Sequence, residues 1–250
     1  MAVPGRYLYC VIPCSEKREF GKIGVGDDPG RVYTLHYQDL ALVVSNVPVK
    51  AYDPTRKNAL AHEKVIAEAM REFPVVPMSF GLVCQDEYKA KMLLSQNYTA
   101  FKEKLELFSG KMEVGLKVWW KKESFQPEMF RHQPRLTELK RSIEGKASGS
   151  AYMLAVEFGR TVENAANELR SKYEQEIFKP LQQLSADARL NKLINELMVF
   201  NSAFLIEKAR EHEFDLKVND LYLAHQEILQ FKYTGPWPPY NFVDIRISDV

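Results

Sequence analysis

The chain opens with "RYLYCVIP", an aromatic and β-branched run that stops at Pro13 and predicts a first strand. "GKIGVGDDPG" is rich in Gly and Asp and reads as loop. Two further β-rich runs, "RVYTLHY" and "LALVVSNV", are separated only by Gln38 and Asp39 and predict a hairpin. The period then changes. Ala61, Val65, Ala69 and Phe73 recur every fourth residue, with Ile66 and Met70 beside them, so this segment predicts an amphipathic helix. Asp53 or Thr55 is placed to cap it, and Pro74 closes it. "VVPMSFGLVC" predicts a buried strand, and "DEYKAKMLLSQNYTAFKEKLELFSG" one or two helices ending at Gly110. In "KMEVGLKVWW", Val114, Leu116, Val118 and Trp120 share one face, while Glu113, Gly115, Lys117 and Trp119 share the other. The order is close to β-α-β-β-α-β and predicts a ferredoxin-like domain over residues 1–123.

Residues 124–149 are polar, interrupted by Pro127 and Pro134, and end in small residues; they read as a partly helical linker. The remaining residues, 150–250, predict a smaller α+β domain. Its first element is a long helix from about Ser150 to Lys179, roughly 45 Å at ~1.5 Å per residue. The stripe Phe158, Val162, Ala165, Leu169, Tyr173, Ile177 is nearly heptad-like, giving the helix a coiled-coil character, and Pro180 is expected to end or kink it. "ELMVFNSAFLIEK" predicts a strand apolar on both faces, "AREHEFDLKVNDLYLAH" a helix, and "EILQFKYTG" an alternating strand. The fold class is therefore α+β, with two domains.

Composition narrows the function classes. Of 250 residues, 46% are apolar and 27% charged, an ordinary globular balance. The formal net charge of +1 gives no global electrostatic case for nucleic acid or an anionic membrane. The three cysteines suit a reducing compartment better than a disulfide framework. Cys10 and Cys14, if extended, lie ~13 Å apart at ~3.3 Å per residue, too far for a bridge, and read as free buried thiols. "MAVPGRYLYCVIPC" does not have the form of a secretory signal, and no run approaches the length of a spanning helix. The expected setting is the cytoplasm.

The sequence carries no recognisable catalytic constellation. No glycine-rich loop has Walker or Rossmann spacing, and "GVGDDPG" precedes a strand rather than a helix. His62-Glu63 does not begin an H-E-x-x-H; His62 borders the apolar helix face and reads as a hydrogen-bonded, partly buried histidine. His212 lies among glutamates on a polar helix face and reads as solvated. Ser79, Ser150 and Cys84 have no nucleophile context. Trp119 and Trp120 beside Lys121 and Lys122 could form a base-stacking platform. The plainer reading puts one Trp in the core and the other under the neighbouring domain. No catalytic, cofactor or metal residue is assigned, and no nucleic-acid or lipid partner is expected.

Several segments together resemble the gas vesicle GvpF/GvpL family. They are "YLYCVIP", "LALVVSNVPVKAYDP", "AHEKVIAEAM", "PVVPMSFGLVC", "GKMEVGLKVWW" and "GPWPPYNF". The residues carrying the match are His62, Glu63, Val65 and Ile66, then Val75, Pro77, Met78, Phe80 and Gly81, with the C-terminal signature after them. The segments stand in the family's order over almost the whole chain, and the overall pattern leans to the F type. The resemblance implies a non-enzymatic accessory protein of gas vesicles, located at the vesicle in the cytoplasm. It further implies a part in shell assembly through contact with the main wall protein and with other accessory proteins. The rival reading is a small-molecule-binding regulator with a ferredoxin-like domain, which a deep closed pocket would favour.

"GPWPPYNFV", residues 235–243, keeps an extended course at low entropy cost. The structural reading lays it across a sheet edge or the domain seam with Trp237 largely buried, and lets "NFVDIRI" alternate back into packed structure. The docking reading holds it out for a partner. On that reading Trp237, Tyr240 and Trp119 are the candidate partner-contact residues.

Overall fold

A computed structural model describes residues 4–144 and 148–245. Arg246 and Ile247 of the alternating C-terminal stretch therefore lie outside the described residues, as does 145–147 of the expected linker. Two compact units divide the chain. One comprises residues 1–113 together with 236–250, and the other comprises residues 114–235.

The first unit is built on a six-stranded sheet. Its strands are β1 (Gly5–Pro13), β2 (Glu19–Lys22), β3 (Arg31–Tyr37), β4 (Leu40–Val47), β5 (Val76–Pro77) and β6 (Val83–Cys84). The order is β2-β3-β4-β1-β5, with β6 also on β1. The hairpin β3–β4 closes between Tyr37 and Leu40 as expected, with Gln38 at φ 54°. Strand β2 falls where the sequence reads mostly as loop. The expected strand at "VVPMSFGLVC" is two short pieces, because the chain turns at Gly81 (φ 87°) and both β5 and β6 then pair with β1. Helix α1 (Arg56–Met70) is capped by Thr55, whose side chain accepts from the Asn58 N–H. Helices α2 (Glu87–Gln96) and α3 (Tyr98–Phe108) follow, the first capped by Asp86. Cys10, Cys14 and Cys84 are buried free thiols.

Strand β7 (Lys111–Trp120) begins in the first unit and runs into the second, where Val114, Leu116, Val118 and Trp120 are all at most 2% exposed. It does not join the first sheet. It lies inside a four-stranded sheet of order β10-β7-β9-β8, with β8 (Asp187–Asn191), β9 (Met198–Glu207) and β10 (Leu229–Trp237). The short β8, "DARLN", has only Ala188 and Leu190 as apolar positions, too few to mark it as a strand in the sequence.

The first sheet, β3-β4-β1-β5 with β2 added at its edge, keeps the strand order of the ferredoxin-like plan but has no helix between β1 and β3. That plan is an antiparallel sheet of order 4-1-3-2, with the first and third strands antiparallel neighbours and a helix crossing over from the first strand to the second. In the first sheet β1 pairs antiparallel with β4, β5 and β6. The second sheet also has the plan's strand order, and its first and third strands run in opposite directions, as the plan has them. The Trp120 N–H donates to Leu197 O, while the Ser202 hydroxyl donates to Leu116 O further back along β7. The molecule is α+β with two antiparallel sheets.

Residues read as a linker form helices α4 (Lys122–His132) and α5 (Arg135–Glu144). The long helix α6 (Ser148–Tyr173) packs on α4 and α5. Its stripe is buried at Ala165, Leu169 and Tyr173 and half-buried at Phe158 and Val162. Of the two outcomes expected at Pro180, an end or a kink, the helix does not end there. A π-helical turn, Glu174–Phe178, widens the ladder, and α7 (Lys179–Gln183) continues with Pro180 in its first turn. The extra residue in that turn makes room for a ring that would otherwise clash with the preceding carbonyl. Helix α8 (Glu211–His225) backs the sheet through Phe214, Val218 and Leu221.

Candidate functional site

The residues that carry the family resemblance meet at one place in the first unit. His62 on α1 is 3% exposed. The Tyr7 hydroxyl accepts from the Gly81 N–H at 2.8 Å. Its own proton then points to His62 Nδ1 at 3.2 Å, which leaves the His62 Nε2–H to donate to Met78 O at 3.2 Å. Phe80 stacks edge-on against both Tyr7 and His62. Met78 N–H donates to Tyr9 O at 2.8 Å, and the Tyr9 hydroxyl accepts from the Val25 N–H at 2.8 Å. The histidine is thus a neutral bracket between β1, α1 and the turn at Gly81, as the hydrogen-bonded reading expected.

Burial drives the His62 pKa down to about 4. Above pH ~6.5 folded and unfolded chains both hold it neutral. As pH falls from there to about 4, the unfolded chain takes up a proton that the folded chain refuses. Stability is therefore lost over that window, by about 3 kcal/mol at most. Glu63 next to it, raised by burial, works in the opposite direction at the acidic end. Denaturation midpoints at pH 7 and pH 4.5 check this: the difference is expected to shrink in His62→Gln.

The C-terminal signature lies on the same unit. Pro238 and Pro239 are buried, and Phe242 is 0% exposed. A 3₁₀ turn, Tyr240–Phe242, is held by local bonds from Tyr240 N to Pro238 O and from Phe242 N to Pro239 O. Three side chains from three elements grip it. The Tyr240 hydroxyl donates to Glu63 Oε2 at 3.1 Å. Glu113, 4% exposed, accepts from the Asn241 N–H at 2.8 Å and from Asn241 Nδ2 at 2.6 Å. Lys104 Nζ donates to Phe242 O at 2.9 Å and pairs with Asp244 at 3.1 Å.

The three sequence-predicted contact residues therefore separate. Tyr240 is half-buried, its hydroxyl engaged by Glu63, and burial beside that carboxylate pushes its pKa far up. Trp237 is 38% exposed, so the expectation that it would be largely buried is corrected. The two prolines and Phe242 fill the space instead. Trp119 is half-buried. Its neighbour Trp120 is buried, with Phe125 at 5.3 Å and the Arg170 guanidinium over its ring, so these two residues form no open stacking platform. Sequence reasoning missed Lys104 and Glu113. Glu113 reads simply as the outer face of β7, and its partner Asn241 stands 128 residues away.

A cleft of about 590 Å³ in the first unit lies between the Val25–Asp28 loop and the start of α1. Asp27 on its rim is fully exposed and bonded to Lys57 at 3.0 Å, and that lysine lowers its pKa. No buried polar groups converge there on a ligand. Among the described residues no group of His, Cys, Asp and Glu is placed to hold a metal ion. Among them, too, no helix is long and apolar enough to cross a membrane.

The model of the gas vesicle synthesis protein GvpL/GvpF family matches residues 5–244. The chain is 27% identical to gas vesicle protein F of Nostoc sp., over 96% of this chain and 98% of that one. It is 26% identical to gas vesicle protein L of Streptomyces sp., over 98% and 95% respectively. The crystal structure of GvpF from Anabaena sp. superposes with a TM-score of 0.84 at 25% identity, over 97% of this chain and 99% of that one.

Proposed function

Because the chain belongs to the gas vesicle synthesis protein GvpL/GvpF family, a non-enzymatic family, we propose that it contributes to shell assembly by binding the main wall protein at the gas vesicle in the cytoplasm. The two compact units act as its two domains on this reading. The observation that supports a docking role is the C-terminal signature itself. It is anchored by Phe242 and Asn241 yet presents Trp237 to solvent. Exposed Trp side chains on a rigid, preordered segment are the usual anchors of protein interfaces. Shell assembly also requires recognition rather than chemistry, which fits a molecule whose buried carboxylates and histidine all hold structure.

Purified main wall protein is expected to retain the chain in a pull-down, across several salt concentrations. Trp237→Ala is expected to weaken that binding by ~2 kcal/mol or more, roughly 30-fold in Kd, with the fold intact. Retention no better than that of an unrelated control protein would reject wall-protein binding. Full retention by Trp237→Ala would reject only the assignment of the surface.

A further inference from the structure

We propose that the first unit carries a peptide-binding site, filled in this structure by the chain's own segment 238–242, that recognises a proline-rich segment closing in a turn that ends in Asn-aromatic. The proposal does not depend on wall-protein binding. Among the described residues, nothing after Trp237 adds a strand to either sheet. The backbone bonds within the segment are local, and its two buried prolines have no N–H to offer a ladder. The grip comes instead from side chains that belong to separate elements: Glu63 on α1, Lys104 on α3 and Glu113 on β7. Domains that take short proline-rich peptides likewise hold them in preformed grooves rather than by ladder bonds.

Recognition is specific at Asn241. The buried Glu113 carboxylate can only accept, and Asn241 supplies two donors to it, at 2.8 and 2.6 Å. An aspartate at 241 would set a second carboxylate against the first. Lys104 reads the next backbone carbonyl, that of Phe242, while the Phe242 ring is fully enclosed. None of these contacts requires the segment to arrive covalently attached. Attachment only supplies a high effective concentration, which keeps the site filled in cis.

The test uses the full chain. In N241D the segment is expected to loosen, and hydrogen exchange at the amides of 240–242 to rise by about tenfold or more relative to the wild type, while β1 and β4 keep their protection. A fluorescent peptide with the wild-type sequence of residues 235–244 should then bind N241D saturably. Wild type should bind it at least about tenfold more weakly, since its own segment occupies the site. The double variant E113Q/N241D exchanges donor for acceptor: the new amide at 113 donates to the new carboxylate at 241 and still accepts the backbone N–H. It is expected to restore protection and to exclude the peptide again. Lys104→Met, which removes the bonds to Phe242 O and Asp244, serves the same comparison if N241D does not fold. A folded variant with a loosened segment that fails to bind the peptide overturns the proposal. So does unchanged exchange in N241D, or equal peptide binding by wild type.

Discussion

Phe242→Ala is expected to destabilise the protein by roughly 3–5 kcal/mol, the cost of emptying a core aromatic site. The side chain is 0% exposed although it stands near the end of the chain. Its position is overdetermined. The two prolines before it restrict the backbone, Asn241 is fastened to Glu113, and Lys104 holds its own carbonyl. The surroundings can therefore collapse little around the cavity, and limited collapse places the cost at the high end of such series. Trp237→Ala is the internal comparison. It removes a larger ring, but one that is 38% exposed, and is expected to cost less than Phe242→Ala. Urea denaturation of both variants measures the difference. A Phe242→Ala change within ~0.5 kcal/mol would mean that the segment contributes nothing to the first unit's core.

Leu169→Ala is expected to cost on the order of 2–5 kcal/mol in the second unit. Leu169 is 1% exposed and sits between Ala165 and Tyr173 on the buried stripe of α6. The same helix provides the control. Val156 is 43% exposed, so Val156→Ala removes little buried area and replaces a β-branched residue with the best helix former. It should leave the midpoint within about 0.5 kcal/mol. Equal losses at the two positions would mean that the stripe does not face the packed side. Far-UV circular dichroism through the unfolding transition reports both, since α6 is the longest helix among the described residues.

Much of the local structure was legible because its causes are local. The hairpin at Gln38-Asp39, the Thr55 cap, the period of α1 and the stripe of α6 each depend on residues within a few positions of one another. The family resemblance was legible too, and the structure supplies its reason. His62, Met78 and Gly81 are apart in sequence but bonded around Tyr7. The partition of strands between sheets was not legible. The alternation in β7 shows that one face is buried and is silent about which sheet buries it, and β8 is too short, with only Ala188 and Leu190 apolar, to stand out.

The sequence by itself determined the element types, the absence of catalytic and phosphate-binding motifs, and the kinship with gas vesicle proteins, because propensity, period and motif order are properties of the chain. The tertiary structure alone decided the partition of strands between two sheets, the passage of the long helix through Pro180 by a π-turn, and the fate of the C-terminal signature. Of its aromatic residues the sequence marked Trp237 as the core residue, yet Phe242 is buried and Trp237 is not. The physical reason is that burial depends on the space left by distant elements. Here that space is framed by Glu63, Lys104 and Glu113, whose acceptors and donor match Tyr240, Asn241 and the Phe242 carbonyl. No pattern within nine residues could encode a fit made more than a hundred positions away.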